Sequence, residues 1–484
     1  MIAPACLIPL TLTLALSACA VGPDFQRPDT ALPGRFARAA AAPAPNASAS
    51  ADTAPDAGFW SGFGDPTLAA LIAQAYTANQ DLRLALARHD AADALLRNAR
   101  FDQFPTITAS GQIGHQLLSQ SQAFGASRSQ RDTPISGVSV NASWELDLFG
   151  RVRRGVEAQR AETAASAADL RAVRVAIAGE AATAYLDLRG QQERLRIARD
   201  NADNQRGTLA LIDARVGAGR GSELDAARAR AQYETTVSRI AFHEAAIGVD
   251  EHRLAVLTGR TPDALIAALD VPAPLPAPPA GIAAGTPADL LRRRPDVAAA
   301  EARLHAATAR VGVATADLFP RLTLSGMLGS LTSRYGVFAS GGDTNLIALG
   351  VDWSFLDVGR VRARLAASRA DAAGLLAQYQ QTVLGALEDA ENALLRAART
   401  RDEAAHLERA ATDSARAAQL AQTRFDAGAI DYYEVLDAQR SLLQAQDAAA
   451  DARLRNATAV VSVYKALAGG WPTTDAPRDA ARAE

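Results

Sequence analysis

The chain has 484 residues, 49% of them hydrophobic and 21% charged, which excludes a disordered polypeptide and leaves room for two or three ordinary domains. Net charge is −3, so no basic surface for nucleic acid is expected. Both cysteines, Cys6 and Cys19, lie in the first twenty residues, which excludes a zinc cluster or disulfide from the folded body.

In chain order, the apolar run "ACLIPLTLTLALSACA" is too short for a comfortable transmembrane helix and reads as a signal peptide over 1–18. Leu16-Ser17-Ala18-Cys19 resembles a bacterial lipobox, whose cleavage leaves Cys19 as a diacylated N-terminus. No Lys or Arg precedes the run, a departure from the usual basic start of a signal peptide. Residue 20 is Ala rather than Asp, which by the sorting rule of enterobacterial lipoproteins implies the outer membrane. Residues 19–60 form a lipidated N-terminal arm, irregular where Ala, Pro, Ser and Asn dominate. The body divides into a first repeat at 61–260, a Pro-rich linker at 261–287 and a second repeat at 288–471, and 472–484 is a disordered tail.

The repeats rest on matched phrases. Phe104-Pro105 answers Phe319-Pro320, and "WELDLFGR" from Trp144 answers "WSFLDVGR" from Trp353, 209 residues on. Arg215-Val216-Gly217-Ala218-Gly219 and Arg424-Phe425-Asp426-Ala427-Gly428 keep the same shift, which points to duplication.

Within the first repeat, helices are predicted at about 68–102, 151–216 and 223–257, with strands at about 105–116 and 136–147. The second has helices at about 295–318, 360–426 and 432–468, with strands at about 321–331 and 345–356. The strands alternate with period two: Ile107, Ala109 and Ile113 oppose Thr106, Thr108 and Ser110. Val138, Val140, Ala142 and Trp144 oppose Ser139, Asn141 and Ser143. Leu322, Leu324 and Leu328 oppose Thr323 and Ser325; Ile347, Leu349, Val351 and Trp353 oppose Ala348, Gly350, Asp352 and Ser354. Each is about the ten residues a membrane β-strand needs, although a small soluble sheet would show the same alternation.

No proline interrupts Arg151–Val216 or Arg360–Phe425, and an unbroken helix of that size is roughly 100 Å long. Leu188, Leu195, Ala202, Leu209 and Val216 recur every seven residues; Val383, Leu387, Ala390, Leu394 and Ala397 alternate four and three, so both stretches present seams to neighbouring helices. A sheet in lipid cannot keep free edges, and four strands are too few to close a barrel. Strands must therefore come from further copies, and three copies would supply twelve.

The chain resembles the outer-membrane efflux proteins of the TolC type, most closely their lipoprotein branch, the NodT-like efflux lipoproteins. The resemblance runs from Cys19 to Trp471 through "CAVGPDFQRP", "FWSGFGDPTLAALIAQAYTANQDL", "LLRRRPDVAAAEARLHAATARVGVATADLFPRLTLSG" and "GAIDYYEVLDAQRSLLQAQ". It implies an α+β membrane protein: a homotrimer with a 12-stranded β-barrel, four strands per protomer, continuous with a long periplasmic α-helical barrel, built from two tandem structural repeats. It also implies a passive exit duct in the outer membrane, joined to a periplasmic membrane-fusion (adaptor) protein and an inner-membrane transporter of the resistance-nodulation-division class. A duct for type I protein secretion and a pore-less coiled-coil scaffold are the alternatives.

The resemblance carries over particular positions. Glu434 and Asp437 match the acidic ring of the periplasmic gate, where crowded carboxylates repel anions and hold their protons more tightly. Read alone, Glu434 also suits the first turn of a helix. The turns with Gly219, Gly221, Ser222, Asp225 and Gly428 match the adaptor-docking tips. "GAGRGS" lacks both the preceding strand and the Lys-Ser/Thr of a phosphate cradle, so its glycines are read as helix-to-helix turns and Ser222 as a cap. Phe425 and Ile430 stand where the family prototype locks its closed state with Tyr and Arg, so that lock is not implied. Pro105, Gly150, Pro320 and Gly359 mark strand–helix junctions, with the glycines letting the chain bend. Trp144 and Trp353 are read either as interfacial rings or as packing at those junctions. The six histidines are scattered and no catalytic set has local support, so neither catalysis, cofactor nor metal is expected.

Overall fold

The computed structural model describes residues 20–37, 59–279, 285–334, 336–338 and 340–469. The signal segment, Cys19, much of the arm, part of the linker and the tail lie outside the described residues. The order is α1 (Pro66–Ala78), α2 (Gln80–Phe101), β1 (Thr106–Leu117), α3 (Arg128–Arg131), β2 (Asp132–Leu146), α4 (Arg151–Gly217), α5 (Glu223–Leu257) and α6 (Ile266–Leu269). There follow α7 (Pro287–Arg293), α8 (Pro295–Ala316), β3 (Arg321–Thr332), β4 (Asp343–Asp352), a 3-10 turn (Phe355–Asp357), α9 (Val358–Asp426) and α10 (Tyr432–Ala466). The chain forms two compact units. One contains Met1–Asp29, Ala87–Ala167 and Ala299–Gln381; the other contains Thr30–Leu86, Ala168–Ala298 and Thr382–Glu484. Among the described residues no helix is long and apolar enough to cross a membrane.

The first unit holds one antiparallel sheet in the order β1-β2-β3-β4. Register places Ala109 opposite Val140, Val140 opposite Leu328, and Leu324 opposite Leu349, so the apolar sides expected of the four strands lie on one face. That face is open: Ile107 is 70% exposed, Ile113 75% and Ile347 84%. The opposite face carries Thr106, Thr108, Ser110, Asn141, Ser143 and Ser325. Among the described residues, β1 and β4 pair on one side only.

The doubled tryptophan phrase is a joint in both copies. Trp144 Nε1 donates to the Gln103 carbonyl at 3.1 Å and Trp353 Nε1 to the Leu318 carbonyl at 3.1 Å. Each ring thus ties the end of an outgoing strand to the residue just before the Phe-Pro pair that opens the incoming one. Pro105 and Pro320 directly precede β1 and β3, where proline turns the preceding residue away from helix. Gly150 has φ +81, the left-handed turn glycine allows, and an added Cβ would lie 2.8 Å from the Ala20 Cβ. Asp147 then caps α4, accepting from the Val152 and Arg153 amides at 3.0 and 2.8 Å. Gly359 does not make the matching bend. It lies in the first turn of α9, and the 3-10 turn at Phe355–Asp357 changes direction instead.

Residues 20–29 of the arm dock on the same unit. The Val21 amide donates to the Phe149 carbonyl at 3.1 Å, Asp24 pairs with Arg154, Phe25 stacks on His305 at 4.5 Å, and Arg27 meets Glu301 at 3.0 Å. Burial opposes the charge of Glu157, but bonds from Arg154 and His305 outweigh it and hold the carboxylate below its usual range.

The second unit is helical, cored by Tyr185, Leu186, Leu188, Leu254, Leu257 and Val461 with Leu68 of α1. Full burial of side chains this size contributes about 1.5–3 kcal/mol each. Leu188, Leu195 and Ala202 of the sevenfold seam are buried, as are Val383, Ala390 and Leu394 of the other. The stretch 68–102, expected as one helix, is broken at Asn79. Its Oδ1 accepts from the Asp81 and Leu82 amides at 2.9 and 3.1 Å and caps α2, while Nδ2 donates to the Leu257 carbonyl at 3.0 Å. Arg294 makes the corresponding break before α8, in the extended geometry proline imposes on the residue before it, and donates to the Ala466 carbonyl at 3.1 Å. Leu257 and Ala466 are the last residues of α5 and α10, so the repeats share one device: the residue at the break holds the end of the returning helix.

Candidate functional site

The helical hairpins of the second unit end in matched turns. At the end of α4 the Gly219 amide donates to Val216 O at 2.9 Å and the Arg220 amide to Arg215 O at 2.8 Å. At the end of α9 the Gly428 amide donates to Phe425 O at 2.9 Å and the Ala429 amide to Arg424 O at 2.8 Å. This pair of bonds terminates a helix on a left-handed residue, and Gly219 and Gly428 have φ +68 and +72. Ser222 caps α5 by accepting from the Leu224 amide at 3.2 Å. Gly221 has a different reason: an added Cβ would sit 2.8 Å from the Val216 nitrogen. Asp225 lies in the first turn of α5, where an acid favours the helix dipole, and is 3.9 Å from Arg228.

The two turns share one small core. Ile212, Ala226, Ala229, Phe425, Tyr432 and Val435 are buried together, with Val216 and Ile430 packed against them. Phe425 and Tyr432 meet edge to face at 5.8 Å, the Arg215 guanidinium lies 4.6 Å from the Phe425 ring centre, and Arg228 lies 5.4 Å from that of Tyr433. Burial, then the charge of Asp225, push the Tyr432 hydroxyl up to about 12, so it stays a neutral phenol. The turns of both repeats are therefore one packed tip. Arg215 and Tyr432 were missed by sequence reasoning; Arg215 sits inside the repeated phrase, but its aromatic partner belongs to the other repeat.

Glu434 and Asp437 follow on the first turns of α10. Glu434 is exposed. Asp437 pairs with Arg440 of its own helix at 2.8 Å. The structure thus brings Gly219, Gly221, Ser222, Asp225, Gly428, Glu434 and Asp437 to helix ends of one unit, whereas Pro105, Gly150, Pro320 and Gly359 belong to the other. Away from the tip, the Arg194 guanidinium grips Asp447 at 2.7 and 3.1 Å and Arg455 reaches Glu403 at 2.8 Å, so α4, α9 and α10 are also joined by ion pairs.

A family model described as outer membrane efflux protein matches residues 71–260 and 286–469, one match for each repeat. The pyoverdine export outer membrane protein OpmQ of Pseudomonas putida is 34% identical over 474 residues, spanning 96% of this chain and 97% of its own. Nodulation protein T of Rhizobium leguminosarum bv. viciae is 32% identical over 481 residues, spanning 97% and 95%. Among solved structures, the outer-membrane channel OprN matches with a TM-score of 0.86 at 38% identity, covering 94% of this chain and all of that one. With both repeats matched and nearly the full length aligned, the chain belongs to the outer membrane efflux protein family.

Proposed function

We propose that three copies of this chain form the exit duct of a tripartite efflux pump, closing a twelve-stranded barrel by pairing β4 of one copy with β1 of the next. The observation that carries this reading is the sheet: an exposed apolar face, a hydroxyl-rich opposite face, and two edges that a single chain cannot pair. Cys19 anchors the assembly in outer-membrane lipid, where each buried acyl methylene contributes about 0.8 kcal/mol. The tip built on Gly219, Gly221, Ser222, Asp225 and Gly428 docks the periplasmic adaptor, and an inner-membrane transporter of the resistance-nodulation-division class supplies the energy. Relatives are named for export of pyoverdine, toluene and solvents, unlike molecules, which supports a duct that conducts what its pump delivers and performs no chemistry of its own.

Glu434 and Asp437 ring the periplasmic constriction and favour cations there. Arg440 neutralises part of Asp437, so Glu434, exposed on the first turn of α10, carries the larger share. Purified protein in planar bilayers is expected to give cation-selective channels whose preference weakens in Glu434→Ala/Asp437→Ala. An unchanged preference would move the acidic ring elsewhere, and electrical silence of both proteins would favour a scaffold without a pore.

A further inference from the structure

The inward seam of α5 runs through Thr236, Ile240, His243, Ile247 and Leu254, and its isoleucines and leucine pack into the core of the helical unit. A histidine thus stands between two isoleucines, only 3% exposed. Its Nδ1 lies 2.8 Å from Gln191 Oε1 of α4, an acceptor, so Nδ1 carries the ring hydrogen. The charged groups that act on the ring come from three helices: Arg194 of α4, Arg239 of α5 itself, and Asp447 of α10. Arg194 holds Asp447 at 2.7 and 3.1 Å and Asp451 at 3.3 Å, and Arg239 reaches Asp447 at 3.8 Å. Asp451 is shared with Arg455, and Glu244, next to the histidine, pairs with Arg199 at 2.6 Å. Two guanidiniums therefore already share the carboxylate that acts on the imidazole. Burial first, then Arg194, with Arg239 adding to them, hold the imidazole below its ordinary pKa against the pull of Asp447.

We propose that His243 is an acid-operated latch: neutral, it holds α5 on α4; protonated, it loosens α5 and eases opening of the duct. The effect on opening rests on the duct reading above, whereas the latch itself does not. A second ring proton adds a third positive charge beside Arg194 and Arg239, in a seam with little water to solvate it. The folded protein takes that proton less readily than the unfolded chain, where histidine titrates at about 6.5. Stability that is fully present above about 6.5 is therefore lost as pH falls through the lower folded value. The loss falls on the contact between α5 and its neighbours. α5 also carries Ala226 and Ala229 into the core shared by the two tip turns, so a loosened α5 weakens the hold of one hairpin on the other at the periplasmic end.

The test uses full-length protein and hydrogen-exchange mass spectrometry over Thr236–Ile247 at pH 7.5 and pH 5.5, with rates corrected for the intrinsic pH dependence of amide exchange. His243→Gln keeps a donor for Gln191 and His243→Leu continues the apolar seam, and neither can take the proton. Both variants are expected to match wild-type protection at pH 7.5. At pH 5.5 wild-type protection is expected to fall at least about threefold below theirs. Asp250 titrates in all three proteins, so the comparison isolates His243. Equal protection in wild type and both variants at pH 5.5 would overturn the latch. In planar bilayers, acidification is expected to lengthen open times more in wild type than in either variant. Open times that respond alike in all three, while exchange differs, would overturn the link to opening. A wild-type protein that never conducts would instead overturn the duct reading.

Discussion

Arg294 allows a quantitative test of the device that closes each repeat. Its side chain is about nine-tenths buried and donates to Ala466 O at 3.1 Å, Asp389 at 3.1 Å, and Asp296 at 2.6 and 3.0 Å. Burial opposes its charge, yet the bonds to Asp296 and Asp389 hold the guanidinium above its usual pKa, so it is always charged. Arg294→Met keeps the apolar stem and removes the donors. The Ala466 carbonyl, at the end of α10, then loses its side-chain donor, which costs about 1–3 kcal/mol. Asp296 and Asp389 have side chains 41% and 61% exposed and return to water, so their loss adds no more than about 1 kcal/mol. The sum is about 1–4 kcal/mol, localised at the end of α10. At tenfold per 1.4 kcal/mol, amide exchange over Val463–Leu467 should quicken roughly 5- to 700-fold by hydrogen-exchange mass spectrometry. The end of α5, held by Asn79 rather than Arg294, serves as the internal control and should not change. A change below about threefold at α10, in protein of wild-type helix content, would refute the argument.

Gly428→Ala should lower the thermal midpoint by an amount corresponding to about 1–2 kcal/mol, because nothing crowds the new Cβ and the cost is purely that of φ +72. Gly359→Ala should leave the midpoint level or raise it by up to about 1 kcal/mol, since that glycine is helical and unhindered; equal losses in the two variants would contradict the junction geometry. Asp250 is pushed up to about 7 by burial and by the charges of Asp187 and Glu251. A carboxyl raised in the folded state binds its proton more tightly there than in the unfolded chain, so its stabilising effect is lost as pH rises from about 4 to about 7. Asp250→Asn should therefore raise the midpoint more at pH 8 than at pH 5, and a pH-independent difference would count against the shift. Cys19→Ala should abolish metabolic labelling with palmitate; undiminished labelling would disprove acylation at that residue.

Much of the fold is legible because it is written as period. Strand alternation needs only two-residue spacing, and the long seams need only seven-residue spacing, so Ile107, Val140, Leu328 and Leu349 announce their face without knowledge of any partner. Gly219 and Gly428 are legible for a similar reason: a left-handed helix end is a local requirement that glycine meets at least cost. Gly359 shows the limit. It occupies the position of Gly150 in a repeated phrase, yet the left-handed bend is made in only one copy, because the 3-10 turn at Phe355–Asp357 takes over in the other.

The features that were not legible depend on an atom far along the chain. Asn79 sits in a stretch with no proline or glycine nearby, and it breaks the helix because the Leu257 carbonyl, 178 residues away, takes its amide. The tip core joins Arg215 to Phe425 across the two repeats, and Trp144 finds Gln103 only once β1 and β2 are in register. Met327 and Leu346, on separate strands, become neighbours only when β3 and β4 are aligned.

The sequence by itself determined the duplicated architecture, the four strand faces, the long seams and the left-handed turns at the tips. All of these follow from periodicity or from backbone demands within a few residues. Only the tertiary structure decided which carbonyl each breaking residue holds, which tip rings meet, and which residues face one another across the sheet. Those outcomes depend on the register between elements, and a residue's spacing along its own strand or helix records which way it faces without recording what lies opposite.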